Sequence, residues 1–220
     1  MPVNFGGRPQ LVDLPRIIEA ALKMGVDNLS MHGVARELGV STPALYRYVP
    51  SKEALLDACM DHFCARIDMP DPDLPWQAYL ADVGRAFRRA LQNTPGASTY
   101  GFKIGPTTPA AFHIIDAALA VLYKAGFSPY HAFLAYSMIV DHAFTTAQKA
   151  ERMTELEKEN GPGGYRVLQL DPEALPELPH LAEALASVLT KGAQIDRDAG
   201  YEYQLTCLIA GLEQHLESID

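Results

Sequence analysis

The stretch Leu29–Leu56, LSMHGVARELGVSTPALYRYVPSKEALL, decides the fold of this chain. Ser30 can cap a short helix running to about Leu38, because its side-chain oxygen satisfies an N–H that the first helical turn leaves open. Gly39 stands where a tight turn between helices needs a positive φ. Ser41 or Thr42 caps the next helix, and Pro43 falls near its first turn, where a missing N–H does no harm. Val34, Leu38, Val40, Leu45 and Tyr48 supply the apolar positions that pack the two helices together, and Ala35 is small where they approach. The outer face of the second helix carries Thr42, Pro43, Ala44, Tyr46 and Arg47, a set suited to a major groove. The pattern predicts a helix-turn-helix. An αα-hairpin with no DNA role would leave the Ala35–Gly39–Leu45 spacing and the polar-aromatic outer face as coincidences.

The residues that follow extend the reading. Pro50 and Ser51 end one helix and cap another, with Lys52 in the first turn of the new one. A cation there opposes the helix dipole, so helix stability does not explain it, whereas contact with a phosphate does. The segment Gly7–Leu56 resembles the DNA-binding domain of the tetracycline-repressor family of transcriptional regulators. The resemblance is carried by Ile17-Ile18-x-Ala20-Ala21-Leu22, Gly25, Leu29-Ser30-Met31, Ala35-x-x-Leu38-Gly39-Val40, Ala44-Leu45-Tyr46 and Ser51-Lys52-x-x-Leu55-Leu56. It implies an all-α protein: an N-terminal three-helix head over residues 1–67 and a helical ligand-binding and dimerisation domain over 71–220. His32, Thr42, Pro43 and Arg47 become candidates for base edges. Ser30, Tyr46, Tyr48 and Lys52 become candidates for phosphates, which position a head without reading sequence. His32 stands where the resemblance would place a guanine-reading arginine.

Charge is divided unevenly between these parts. The 220 residues carry a net charge of −9, which argues against a general nucleic-acid binder. Residues 1–52 hold six basic and four acidic side chains, a balance of +2, and the remaining residues hold −11. All the net acidity therefore lies outside the predicted head. Cys59, Cys64 and Cys207 are odd in number and include no CxxC, as expected of reduced thiols. No apolar run approaches a membrane span and no secretory signal stands at the start, so a cytoplasmic protein is expected.

Helical periodicity runs through most of the chain. Helices are predicted at about 11–24, 30–38, 42–48, 51–67, 76–93, 108–125, 128–153, 179–191 and 198–218, with a short turn near 96–103. Residues 1–10 read as a Pro/Gly-rich arm. DPDLP at 71–75 reads as the domain boundary, and Thr154–Pro179, containing EKENGPGG, as a polar loop. Leu205, Ile209, Leu212 and Leu216 form an apolar stripe on the last helix. Phe133, Tyr136, Val140, Phe144 and Ala147 line the helix at 128–153. Parts of both helices are expected to pair with a second copy, since a two-fold operator needs two heads.

The resemblance continues more faintly through Trp76-Gln77-x-Tyr79-Leu80, Phe87-Arg88, Leu91, Ala125-Gly126-Phe127-Ser128 and Ala132-x-x-Ala135-Tyr136, and fades after about Arg152. In the branch it resembles, histidine and asparagine hold a magnesium–tetracycline chelate. At the aligned positions this chain has Asp68, Val83 and Tyr100, and among the ring-contacting positions Phe87 is retained. The effector is therefore expected to be a small apolar or aromatic molecule and not tetracycline. Trp76, Phe87, Tyr100, Phe102, Phe112, His113, His131, Tyr136, Met138 and His142 are the candidates for enclosing it, with Tyr79 a further aromatic in the same stretch. His113 with Asp116 and Cys59 with His62 have ligand spacing but lack a third and fourth partner, so no metal or other cofactor is expected. GxSxG, Walker A, HExxH and dinucleotide fingerprints are all missing, and nothing supports catalysis. The reading is a ligand-responsive DNA-binding regulator, most simply a repressor. Its rival is a small-molecule-binding or scaffolding protein of the same fold that has lost operator binding.

Overall fold

The computed structural model describes residues 12–161, 171, 176–190 and 197–217, and every regular element among them is helical. The helices are α1 (Leu14–Met24), α2 (Met31–Leu38), α3 (Thr42–Leu45), α4 (Lys52–Ala65), α5 (Trp76–Gln92), α6 (Ala97–Ile104), α7 (Pro109–Lys124), α8 (Pro129–Asn160), α9 (Pro179–Thr190) and α10 (Arg197–Glu217). A 3-10 turn at Val26–Asn28 joins α1 to α2. The predicted N-terminal arm at 1–10 and most of the predicted loop after Gly161 lie outside the described residues.

By its packing the chain divides into two units, one of residues up to Ile67 with Asn93–Ile114, the other of Asp68–Gln92 with the residues from Ile115 on. Residues 93–114, expected within the domain that begins at 71, pack with the head in this division. The reason lies in long-range hydrogen bonds from backbone N–H groups, which have no periodic signature. Val26 N–H donates to the Pro95 carbonyl at 3.0 Å, and Ala110 N–H donates to Asp61 Oδ1 at 3.0 Å. Gly96 has φ 78°, and a Cβ there would come within 2.8 Å of the Asp27 backbone nitrogen.

Two helix limits differ from expectation. The segment 42–48 is α-helical only through Leu45 and continues as hydrogen-bonded turns, with Tyr48 N–H donating to the Leu45 carbonyl at 2.8 Å. Val49 precedes Pro50, and a residue before proline is driven out of the helical region. At the other limit, α8 continues through Thr154–Asn160, which the sequence reading took as loop. Glu, Lys and Leu are good helix formers, and the helix stops at Gly161, with φ 84°.

In the body unit α5 is the central helix. Tyr79, Leu80, Val83, Phe87 and Leu91 are all less than 5 % exposed. They meet Ala132, Ala135, Ile139 and Ala143 of α8, each fully buried. The alanines let the two helix backbones come close, and each large side chain removed from water stabilises the unit by about 1.5–3 kcal/mol. Tyr201 and Leu205 fasten α10 to the same core.

Candidate functional site

The head is built from its caps outward. Asp13 Oδ1 accepts from Arg16 N–H at 3.0 Å and starts α1, whose buried face is Ile17, Ile18, Ala20 and Ala21. Ser30 Oγ accepts from Gly33 N–H at 3.1 Å and starts α2. Gly39 then turns the chain with φ 67° and ψ 30°, and its N–H returns to the Arg36 carbonyl while Val40 N–H returns to Ala35. Ser41 occupies the N-cap of α3 by position, without a side-chain hydrogen bond. Val34, Ala35, Leu45 and Val49 are buried beneath, with Val34 and Leu45 at 0 % exposure. Lys23 and Glu37 add an exposed ion pair at 2.7 Å between α1 and α2. That pair holds the Glu37 carboxyl below its usual range and raises Lys23.

This framework sends the eight predicted DNA residues to the surface. His32, Pro43, Tyr46, Arg47, Tyr48 and Lys52 are exposed and Thr42 is half-buried. Ser30 is exposed too, but its oxygen is engaged as a cap, so any phosphate must be met by the backbone or shared with that bond. Arg47 and Lys52 form no ion pair among the described residues, leaving both charges available. Ser51 Oγ accepts from Ala54 N–H at 3.1 Å and fixes Lys52 at the first position of α4. The neighbouring Glu53 carboxyl is held low by hydrogen bonds to its own backbone and to Ser51.

The ten residues predicted around an effector are divided between the two units. Tyr100, Phe102, Phe112 and His113 belong to the head unit; Phe102 and Phe112 are more than half exposed, and Tyr100 lies among the carboxylates of Asp57 and Glu53. Trp76, Phe87, His131, Tyr136, Met138 and His142 belong to the body unit. There Phe87 meets Phe144 at 6.1 Å between ring centres, and Trp76 meets Phe127 edge-on at 5.0 Å. His131 sits at the start of α8 against Ser128 and the His215 ring. His142 is stacked on Tyr201 at 4.9 Å. Sequence reasoning missed Tyr201: its place one turn before Leu205 marks it as core, and nothing in the sequence pairs α10 with His142. The positions aligned to chelate ligands hold an exposed Asp68, a fully buried Val83 and the half-buried Tyr100. No group of three His, Cys, Asp or Glu side chains among the described residues is placed to hold a metal. Burial pushes the Cys59 thiol up to about 12 and Cys64 to about 11, so both stay protonated.

Comparison with known proteins supplies the decisive observation. Residues 69–216 match the family described as "Tetracyclin repressor-like, C-terminal domain", and residues 17–59 match "Bacterial regulatory proteins, tetR family". The chain belongs to the tetracycline-repressor family. It is 31 % identical over 203 residues to the tetracycline repressor protein class A of Escherichia coli, covering 89 % of this chain and 88 % of that one. Its fold is that of apo ActR from Streptomyces coelicolor, with a TM-score of 0.75, 21 % identity, and coverage of 98 % of this chain and 100 % of that chain. ActR in complex with actinorhodin superposes with a TM-score of 0.73 and 22 % identity, covering 92 % and 96 %. As a member of the tetracycline-repressor family the chain is a ligand-responsive, DNA-binding transcriptional repressor and not an enzyme. No single helix among the described residues is long and apolar enough to cross a membrane.

Proposed function

We propose that this repressor acts as a cytoplasmic homodimer, joined through α8 and α10, that leaves its operator when a small apolar or aromatic effector enters the body. Arg47, Thr42, Pro43 and His32 read base edges; Tyr46, Tyr48, Lys52 and the Ser30 turn hold phosphates. The physical switch is a change in separation of the two heads. Operator half-sites have a fixed spacing, so a shift of a few ångströms removes one head's contacts.

The observation that carries the effector class is the chemistry at the retained and replaced positions. Phe87 keeps its ring and packs against Phe144, while Val83 is apolar and buried and Asp68 is exposed. That arrangement favours ring contact and offers none of the histidine and asparagine ligands a magnesium–tetracycline chelate would use. The ActR–actinorhodin complex supports the view that this fold accommodates a bound small molecule.

The test is a mobility shift with the DNA upstream of the chain's own gene, repeated with magnesium–tetracycline and with a panel of aromatic and lipid-like compounds. Tetracycline is expected neither to release the DNA nor to raise the melting temperature. An apolar effector at 100 times its Kd should do both, adding about 2.7 kcal/mol of stability. Release by micromolar tetracycline would overturn the assignment.

A further inference from the structure

Three helices of the body each send one polar side chain to the same spot: Arg88 from α5, His142 from α8 and Tyr201 from α10. The His142 and Tyr201 rings are stacked, 4.9 Å between centres and 6° between planes. The Arg88 guanidinium lies 4.4 Å from the centre of the Tyr201 ring and is met by Asp198 at 2.7 Å. Tyr201 is 2 % exposed, and its hydroxyl rests against Gly84. A Cβ on Gly84 would come within 2.8 Å of that hydroxyl and 3.0 Å of Ile139. Neither the Tyr201 hydroxyl nor His142 Nε2 reaches solvent or finds a hydrogen-bond partner among the described residues. Native cores leave few such atoms, and each needs a reason.

For His142 the reason depends on the proton. In the neutral ring with its proton on Nδ1 the enclosed Nε2 is a bare acceptor, which the core tolerates. A proton would turn it into a charged N–H donor with neither water nor acceptor to meet. The surrounding charges do not help. Arg88 and Lys149 repel the charged ring. Asp198 is engaged by Arg88, and Arg85 is matched by Asp82 and Glu202. Asp141, next in sequence, lies about 100° around α8. Burial first, then these cations, keep His142 below the ordinary histidine range.

We propose that the His142–Tyr201 stack is an acid-sensitive lock, which holds α10 against α5 and α8 while His142 is neutral and loosens α10 when it takes a proton. The lock stands on the single chain. Its consequence for assembly rests on the dimer reading above, since α10 carries the stripe assigned to the partner. The sign follows from linkage. The unfolded chain takes the proton at the ordinary histidine value and the folded chain only at a lower pH. Stability is therefore complete above the unfolded value and falls as pH drops through it.

The test is hydrogen exchange of the α10 amides in the full chain between about pH 7.5 and 5.5, corrected for intrinsic exchange. The wild type and Tyr201→Phe should both show the opening constant of α10 rising with acid, by at most about tenfold per pH unit, the one-proton limit. In His142→Phe, which keeps a ring in the stack, that rise should vanish. An equal rise in His142→Phe would overturn the lock. Should that variant fail to fold, an NMR titration of the His142 ring in the wild type decides: a depressed value supports the lock, and titration at the ordinary histidine value overturns it. Loss of pH dependence with an unaltered dimer would reject the assembly consequence and keep the lock.

Discussion

Lys52 and Arg47 are both exposed, cationic and without an ion-pair partner among the described residues, and the roles proposed for them differ. Lys52 is fixed at the first position of α4 by the Ser51 cap, where the helix dipole disfavours it. Lys52→Ala should weaken binding about equally for every operator sequence and flatten the log–log salt dependence by about one unit. An unchanged salt slope would remove its phosphate role. Arg47 follows the single α-helical turn of α3, beside the exposed Pro43 and Tyr46. Arg47→Ala should relax discrimination at one base position per half-site, at a cost of about 1–3 kcal/mol for a guanidinium bidentate to guanine. The check is a set of single-base operator variants titrated against both proteins. Parallel weakening of all of them would reduce Arg47 to a backbone contact.

Elements were legible in the sequence where a local rule governs them. Ser30, Gly39 and Ser51 mark a start, a turn and a second start, and each does so through a backbone conformation or a bond spanning three residues. The candidate DNA surface was legible for the same reason, since caps and periodicity fix which face of a short helix is out. Contacts between segments distant in the chain were not. The short turn expected near 96–103 is the helix α6, and its fastening to the head comes from one carbonyl of Pro95 and one glycine at Gly96. Tyr201 and His142 are 59 positions apart, so no spacing rule could bring them together. The fastening of α6 can be tested at that glycine. Gly96→Ala forces a side chain into a left-handed backbone with φ 78° and drives its Cβ to 2.8 Å from Asp27. It should destabilise the protein by about 1–3 kcal/mol, read as a lower urea midpoint. A variant as stable as the wild type would mean that α6 is not held by this contact.

At the scale of the whole molecule the question is what covers α10. In the single chain Tyr201 and Leu205 are buried, but Leu208, Ile209, Leu212 and Leu216 are only half-buried and Tyr203 is 73 % exposed. On α8, Tyr130, Phe133 and Leu134 are likewise exposed. Scattered apolar residues need no explanation, but two helices each presenting a stripe do. A repressor reading a two-fold operator needs two heads at a fixed separation, and the self-complementary interface proposed on these helices would supply it. Leu212→Glu places a carboxylate in the stripe, where pairing would bury it without a partner at a cost of several kcal/mol. Sedimentation should show monomers, with circular dichroism still helical because Leu212 is not part of the fully buried core. Operator affinity should then fall to that of a single head. A variant that sediments as the wild-type dimer would place the interface on another face of the body.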